Sequence, residues 1–340
     1  MLSPKDIFLY LSICISLPSV IVYICQVWTI ICNKALHNSF YALFCIRAFH
    51  GFVYIIDSYY GYRIPNLFPY WFIVNPYSEW TLSVVEFLSS YIFLGDNLSS
   101  FFIMLNRFIS IGWAFNYQTL WQKIHLIACF LCFALPLYSV GILTISFTYF
   151  IQRDENNENI VSIDVVELGN EGRLNFYLQL STIEAIFFLF AFIILNLLII
   201  FTYKKTINIA GNKNFEDKIE RRLWIFALIS SFGQMLMAIV IMAYVGATCG
   251  LLSFISFIDC IFTIVMDIGL VVLPSWPLLW ASKSFRIKFL ETILPKILHE
   301  RLIGSKAQTT KIIQNGQTTI KVLPANSPRL NLVLNNQNRF

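Results

Sequence analysis

Charge is what this chain has least of. Only 13% of its 340 residues are Asp, Glu, Lys or Arg, and 57% are hydrophobic. A soluble domain carries roughly twice that share of charge, so a water-facing surface cannot be covered. Histidine is scarce as well: His37, His50, His125 and His299 are the only four. No HExxH and no G-x-S-x-G elbow occurs, which removes the common motif routes to zinc-dependent and serine hydrolysis. We expect no enzyme, no metal and no cofactor. The eight cysteines (Cys14, Cys25, Cys32, Cys45, Cys129, Cys132, Cys249 and Cys260) fall nearly all within apolar runs, where a thiol acts as a small hydrophobe. Cys129 and Cys132 have CxxC spacing but no second pair, so zinc or redox chemistry is not expected there. No loop disulfide is expected either, Cys249 being the one residue close to an outer edge.

Aromatic residues are plentiful instead: 32 Phe, 16 Tyr and 8 Trp. They suit a lipid-facing surface with interfacial rings. A spanning helix needs about 20 mainly apolar residues. Seven runs qualify, at residues 7–32, 40–60, 80–111, 124–151, 176–203, 223–247 and 251–280. The first is too long for a signal-peptide core and no small-residue cleavage site follows it, so it reads as a span. One helix across 223–280 would be about 87 Å long, so residues 246–253 must turn. The expected fold is all-α, a polytopic membrane protein built as a seven-helix bundle.

Orientation follows from basic residues in short loops. One side receives Lys34, Arg107, Lys123, Lys204, Lys205, Lys213, Lys218, Arg221, Arg222, Lys283, Arg286 and Lys288. The other receives Lys5, Arg63, Arg153 and Arg173. The basic side reads as cytosolic, with the N-terminus outside and the C-terminus inside. The long loop at 152–175 holds six acids against Arg153 and Arg173. It reads as a solvated acidic loop or as a lid over a pocket mouth. Its β-branched middle, 160–168, suits a short hairpin.

The third run carries a polar stripe. At 100° per residue, Glu86, Ser89, Ser90, Asp96, Asn97, Ser100 and Arg107 share an arc of about 120°. An ionisable group in mid-membrane costs at least about 2.5–3.5 kcal/mol, so the stripe faces protein or a water-filled cavity, and this span is central. Arg47, His50 and Asp57 in the second run, Glu184 in the fifth, Gln234 in the sixth, and Asp259 and Asp267 in the seventh raise the same demand. Arg47 lies roughly 10 Å from its membrane edge, at a depth comparable to Asp96 and Asp267. We expect it to pair with one or both, as a lock on the bundle or as a switch broken on activation. Arg47, Asp96, Asn97 and Asp267 thus form the expected buried network. Asp57, Glu86, Ser90 and Asp259 lie nearer the outside and are the pocket candidates. The sequon Asn97-Leu98-Ser99 is discounted because it lies inside the membrane.

On the basic side, residues 281–303 form an amphipathic cytosolic segment suited to an anionic leaflet. Residues 304–340 turn polar and Asn/Gln-rich and are expected to be a disordered tail.

The stretch Leu105-Asn106-Arg107-Phe108-Ile109-Ser110-Ile111, followed by Tyr117 and Trp121, resembles nematode serpentine chemoreceptors of class gamma and the related class V. Glu220-Arg221-Arg222-Leu223 at the start of the sixth run and the Pro-rich 274–284 leading to Arg286 are similar too. The resemblance covers about residues 5–295. It implies a G-protein-coupled-receptor fold, a chemosensory role, a small external ligand and a heterotrimeric G protein as partner. Asn106, Arg107, Tyr117, Trp121, Arg221 and Arg222 would lie on the G-protein side. The bilayer is the remaining partner, and no nucleic acid is expected. A plasma or ciliary membrane of a sensory cell is the implied location. Several superfamily features are missing. Asn106 replaces the acidic neighbour of Arg107, and the sixth run has no proline. The seventh lacks Asn-Pro-x-x-Tyr, with Pro274 and Pro277 as looser substitutes. A ligand-gated channel or a transporter of the same topology stays open as an alternative, although no inverted repeat is visible.

Overall fold

The computed structural model describes residues 4–75, 77–112, 117–144, 147–153, 161–167, 173–210, 216–248 and 255–293. Its helices are α1 (Pro4–Cys32), α2 (Ser39–Asp57), α3 (Ile64–Leu67), α4 (Pro69–Val74), α5 (Glu79–Gly112), α6 (Tyr117–Thr144), α7 (Arg173–Ala210), α8 (Glu216–Thr248), α9 (Ile255–Asp267), α10 (Leu273–Ala281) and α11 (Lys283–Ile293). Two strands, β1 (Phe147–Arg153) and β2 (Val161–Glu167), pair antiparallel with Phe147 opposite Glu167 and Arg153 opposite Val161. The chain divides into two compact units, Met1–Thr292 and Ile293–Phe340. Residues 294–340, which include the whole of the expected tail, lie outside the described residues.

Seven helical segments among the described residues are long and apolar enough to cross a membrane: Ile7–Cys32, Ser39–Leu67, Trp80–Gly112, Trp121–Tyr138, Gln179–Lys205, Ile225–Gly246 and Ile261–Ala281. The architecture is a seven-span helical bundle. Its outward faces are apolar. Ile56, Leu126, Phe130, Phe187 and Phe201 are all well exposed, a surface that water would not tolerate in patches but hydrocarbon would.

The third span, within α5, is the most enclosed. Every residue from Tyr91 to Ser100 is buried, polar and apolar alike. The helix packs on α2, α6, α7 and α8, and this all-round burial explains how its polar stripe avoids lipid. Two spans change winding partway. After Asp57 the second span continues as a π-helical turn, Ser58–Arg63, and after Asp267 the seventh does the same over Ile268–Val272. Such wide turns re-aim side chains and leave backbone carbonyls open to other donors.

Two expectations are corrected here. The fourth span does not run to 151. Its helix ends at Thr144, and Phe147–Arg153 is a strand. The apolar run is continuous across that point, and periodicity in so short a stretch cannot separate strand from buried helix. Within the β-branched middle of the long loop, Val161–Glu167 forms strand β2, which pairs antiparallel with β1. Arg63, counted as a loop cation, is fully buried at the end of the π-helical turn. The polar run around it looked like a loop because each polar group, read singly, had no visible partner.

Candidate functional site

Arg47 on α2 and Asp96 on α5 form a buried ion pair. Arg47 Nε donates to Asp96 Oδ1 at 3.0 Å, and neither side chain has any exposed surface. The rest of the guanidinium is occupied too. Nη1 meets Ser230 Oγ on α8, and Nη2 donates to the Gly269 carbonyl at 3.2 Å. That carbonyl belongs to the π-helical turn of the seventh span. Gln234 Nε2 on α8 donates to Asp96 Oδ2. One guanidinium and one carboxylate thus join spans two, three, six and seven. A buried charge is tolerated only when paired and hydrogen-bonded in this way. Asn97 donates back to the Phe93 carbonyl at 3.0 Å, while its Oδ1 is buried with no hydrogen-bond partner among the described residues.

Asp267 is not part of that pair. Its partner is Arg63, whose Nη2 bonds Asp267 Oδ1. Tyr54 donates to the same oxygen at 3.1 Å, and Ser12 donates to Oδ2 at 2.7 Å. Arg63 Nη1 donates to Ser16 Oγ at 3.0 Å, and its guanidinium lies 4.4 Å from the Tyr59 ring centre. The expected single network is therefore two separate ion pairs. The first ties α2 to α5. The second ties the π-helical end of span two to spans one and seven. Depth alone suggested Arg47 for one or both carboxylates, because Arg63 was assigned to a loop.

Nearer the N-terminal end of α5, a third cluster joins spans two and three. Ser89 Oγ donates to Asp57 Oδ2 at 2.6 Å, and Tyr62 Oη donates to Glu86 Oε1 at 3.0 Å. Tyr62 and Ser89 hydroxyls lie 3.5 Å apart, closing the chain of contacts. Asp57 is buried, and its Oδ1 has no hydrogen-bond partner among the described residues. Glu86 and Ser90 are half-buried. Two carboxylates of the expected pocket set are thus adjacent through Ser89 and Tyr62. Asp259 is on α9, but its side chain lies outside the described residues.

At the other end of α5, about 27 Å along the helix from Ser89, sits the Asn106-Arg107 pair. Asn106 is fully buried. Its amide donates to Ser39 Oγ at 3.3 Å and to Tyr117 Oη at 3.0 Å, and those two hydroxyls are 3.3 Å apart. Tyr117 stacks on Trp121, with ring planes 8° apart. The first turn of α2 begins here, with the Asn38 side chain accepting from the Tyr41 amide at 3.1 Å. Arg107 places its guanidinium 3.8 Å from the centre of the Phe40 ring. Where an acidic neighbour would hold this arginine by charge, the neutral Asn106 instead ties the start of α2 to the start of α6.

The spacing of the Asn-Arg pair, the Tyr-xxx-Trp step and the seven spans agrees with a comparison against protein families. The model of the Srg family chemoreceptors matches residues 9–289. The chain belongs to the Srg chemoreceptor family. It is a multi-pass membrane protein and a serpentine chemosensory receptor. Comparison with curated proteins finds no match.

Within this Srg receptor the proposed basic-end set is only partly placed. Asn106, Arg107, Tyr117 and Trp121 come together at one end, whereas the side chains of Arg221 and Arg222, on α8, lie outside the described residues. Sequence reasoning passed over Arg63, Tyr62, Ser39 and Phe40. A usable signal existed for one of these groups. Ser12, Ser16 and Ser19 recur at helical spacing on α1, which marks a polar face in need of a partner.

Proposed function

We propose that this Srg receptor binds a small external molecule among the second, third and seventh spans, beside Asp57, Glu86 and Ser90, and passes the signal to a heterotrimeric G protein at the Asn106-Arg107 end. The observation that carries the reading is the polarity of α5. One end bears the Asp57–Ser89–Tyr62–Glu86 cluster and the other the Asn106–Ser39–Tyr117 contact and Arg107. On this reading the basic end faces the cytosol, the N-terminus is outside, and residues 281–303 lie along the inner leaflet. The docking of α11 supports that last point. Phe285 is buried against the Tyr41 ring, while Ile287, Leu290 and Ile293 are exposed. The buried Arg47–Asp96 pair lies between the two ends of α5 and, with the Arg63–Asp267 pair, is suited to hold one packing of the bundle against another. A ligand shifts such an equilibrium only by its difference in affinity for the two packings. A sensory-cell plasma or ciliary membrane is the natural site for that task.

The test is a signalling assay in cells. A panel of volatile and water-soluble compounds is applied while cAMP, cGMP and calcium are read. The expected outcome is a response that disappears in Arg107→Ala at unchanged surface level, and that Asp57→Asn or Glu86→Gln shifts to higher concentration. A ligand-evoked current that persists with G proteins blocked would overturn the coupling reading and favour a channel.

A further inference from the structure

The connection between the second and third spans carries no charge. The second span ends at Leu67 and the third begins at Trp80, and none of the fifteen residues 64–78 is Asp, Glu, Lys or Arg. The connection at 152–175 carries eight such residues. Two short helices, α3 and α4, occupy the first of these connections, each with a proline in its first turn, where no helical hydrogen bond is lost. The amides of Phe68, Phe72 and Asn75 donate to the carbonyls of Ile64, Phe68 and Trp71 at 2.9–3.1 Å. The side chains of Asn66 and Asn75 turn back as well, donating to the Tyr62 carbonyl at 2.6 Å and the Trp71 carbonyl at 3.2 Å. A segment that satisfies its own polar groups can leave water. Phe72 pins it to the bundle. That ring is fully buried and meets Tyr77 edge to face at 4.6 Å, while Tyr77 stacks on Tyr60 at 4.5 Å and donates to its carbonyl at 3.0 Å. Phe68, Tyr70, Trp71 and Val74 on the same segment are well exposed, and so is Trp80. Ile56 and Tyr60 of the second span are exposed too, so this patch continues the apolar outer surface of the spans.

We propose that this connection is an interfacial wedge, and that its partner is the phospholipid of the leaflet at the N-terminal end of α5. Phe68, Trp71 and Trp80 rest at the boundary of headgroups and acyl chains, about 5–10 Å deep. Tyrosine and tryptophan rings favour that zone, where one end of the ring is wet and the rest is not. In water the same rings would form an apolar patch of the kind that drives association. With no Lys or Arg in the segment, the wedge has no means of preferring anionic lipid, so the partner is a lipid surface of any headgroup charge. The wedge sets the depth at which the second span ends and the third begins. The inference depends on the membrane placement of the bundle and not on ligand binding or G-protein coupling.

Fluorine resonance of Trp71 tests the wedge. Full-length receptor is labelled with fluorotryptophan and placed in phosphatidylcholine nanodiscs. Trp71→Phe and Trp80→Phe identify the two resonances by their loss, and Trp80, at the edge of a span, serves as the lipid-side reference. Line broadening is read with two agents in turn: a phosphatidylcholine bearing a nitroxide near the head of its acyl chain, and a water-soluble nickel chelate. The nitroxide lipid is expected to broaden the Trp71 line about 3-fold or more beyond the chelate, as it does that of Trp80. Exchanging half the phosphatidylcholine for phosphatidylglycerol is expected to leave that ratio unchanged. Broadening by the chelate equal to or above that by the lipid means a solvated loop, and the wedge is overturned. If neither agent broadens Trp71, a protein surface such as a second copy of the chain covers it, and the wedge is again overturned. A ratio that climbs with phosphatidylglycerol overturns the indifference to headgroup charge and puts an anionic-lipid site in its place.

Discussion

Removing Arg47 tests the bundle at its most connected point. Arg47→Met keeps much of the side-chain length and deletes the charge. Asp96 is then left fully buried, with Gln234 as its remaining donor from another helix among the described residues. Ser230 and the Gly269 carbonyl each lose a partner. Stranding one member of a buried pair costs about 3–5 kcal/mol, and the two lost hydrogen bonds fall within that range at about 1 kcal/mol each. For a chain of this size about 2 °C per kcal/mol is a fair conversion, so the melting temperature in detergent is expected to fall by about 6–10 °C. The double variant Arg47→Met, Asp96→Leu removes both charges. It should recover most of the loss, because an apolar replacement of a buried pair is often neutral. The assay is thermal unfolding of purified receptor, followed by size-exclusion fluorescence, for the wild type, both single variants and the double. A positive coupling energy in that cycle supports the reasoning. Strictly additive losses would refute it, since the two groups would then not act as a pair.

Two further outcomes follow from close contacts. A Cβ at Gly95 would lie 2.5 Å from His50 Nε2, and the imidazole cannot retreat because Phe49, Tyr91 and Phe133 surround it at 5.6–5.8 Å. Gly95→Ala should therefore cost about 1–3 kcal/mol, and His50→Ala in the same chain should remove that penalty; a penalty that persists in the double variant means the clash is not the cause. Arg63→Met should lower surface expression and melting temperature about as strongly as Arg47→Met, with Asp267→Asn added to it restoring part of the loss. A neutral Arg63→Met would return that residue to the loop where hydropathy alone put it.

The membrane class, the number of spans and the central place of the third helix were legible in the sequence, because each follows from one-dimensional quantities. Long apolar runs count crossings, and a polar arc on a helical wheel shows which span must avoid lipid. The Asn106-Arg107 motif, Tyr117 and Trp121 carried the family for the same reason: local order and spacing survive without coordinates. Tertiary structure decided who meets whom. Arg47 takes Asp96 and leaves Asp267 to Arg63, a choice between equally deep carboxylates that depends on helix rotation. The π-helical turn Ser58–Arg63 supplies the rotation on span two, since a wider turn shifts every later side chain around the axis. Thr144 ends the fourth helix inside an apolar run because β2 offers a strand partner seventeen residues or more along the chain from it. The Phe40 ring under Arg107 is the plainest case. Nothing in the spacing of residues 40 and 107 links them, and only the packing of α2 against α5 brings a ring face beneath the charge.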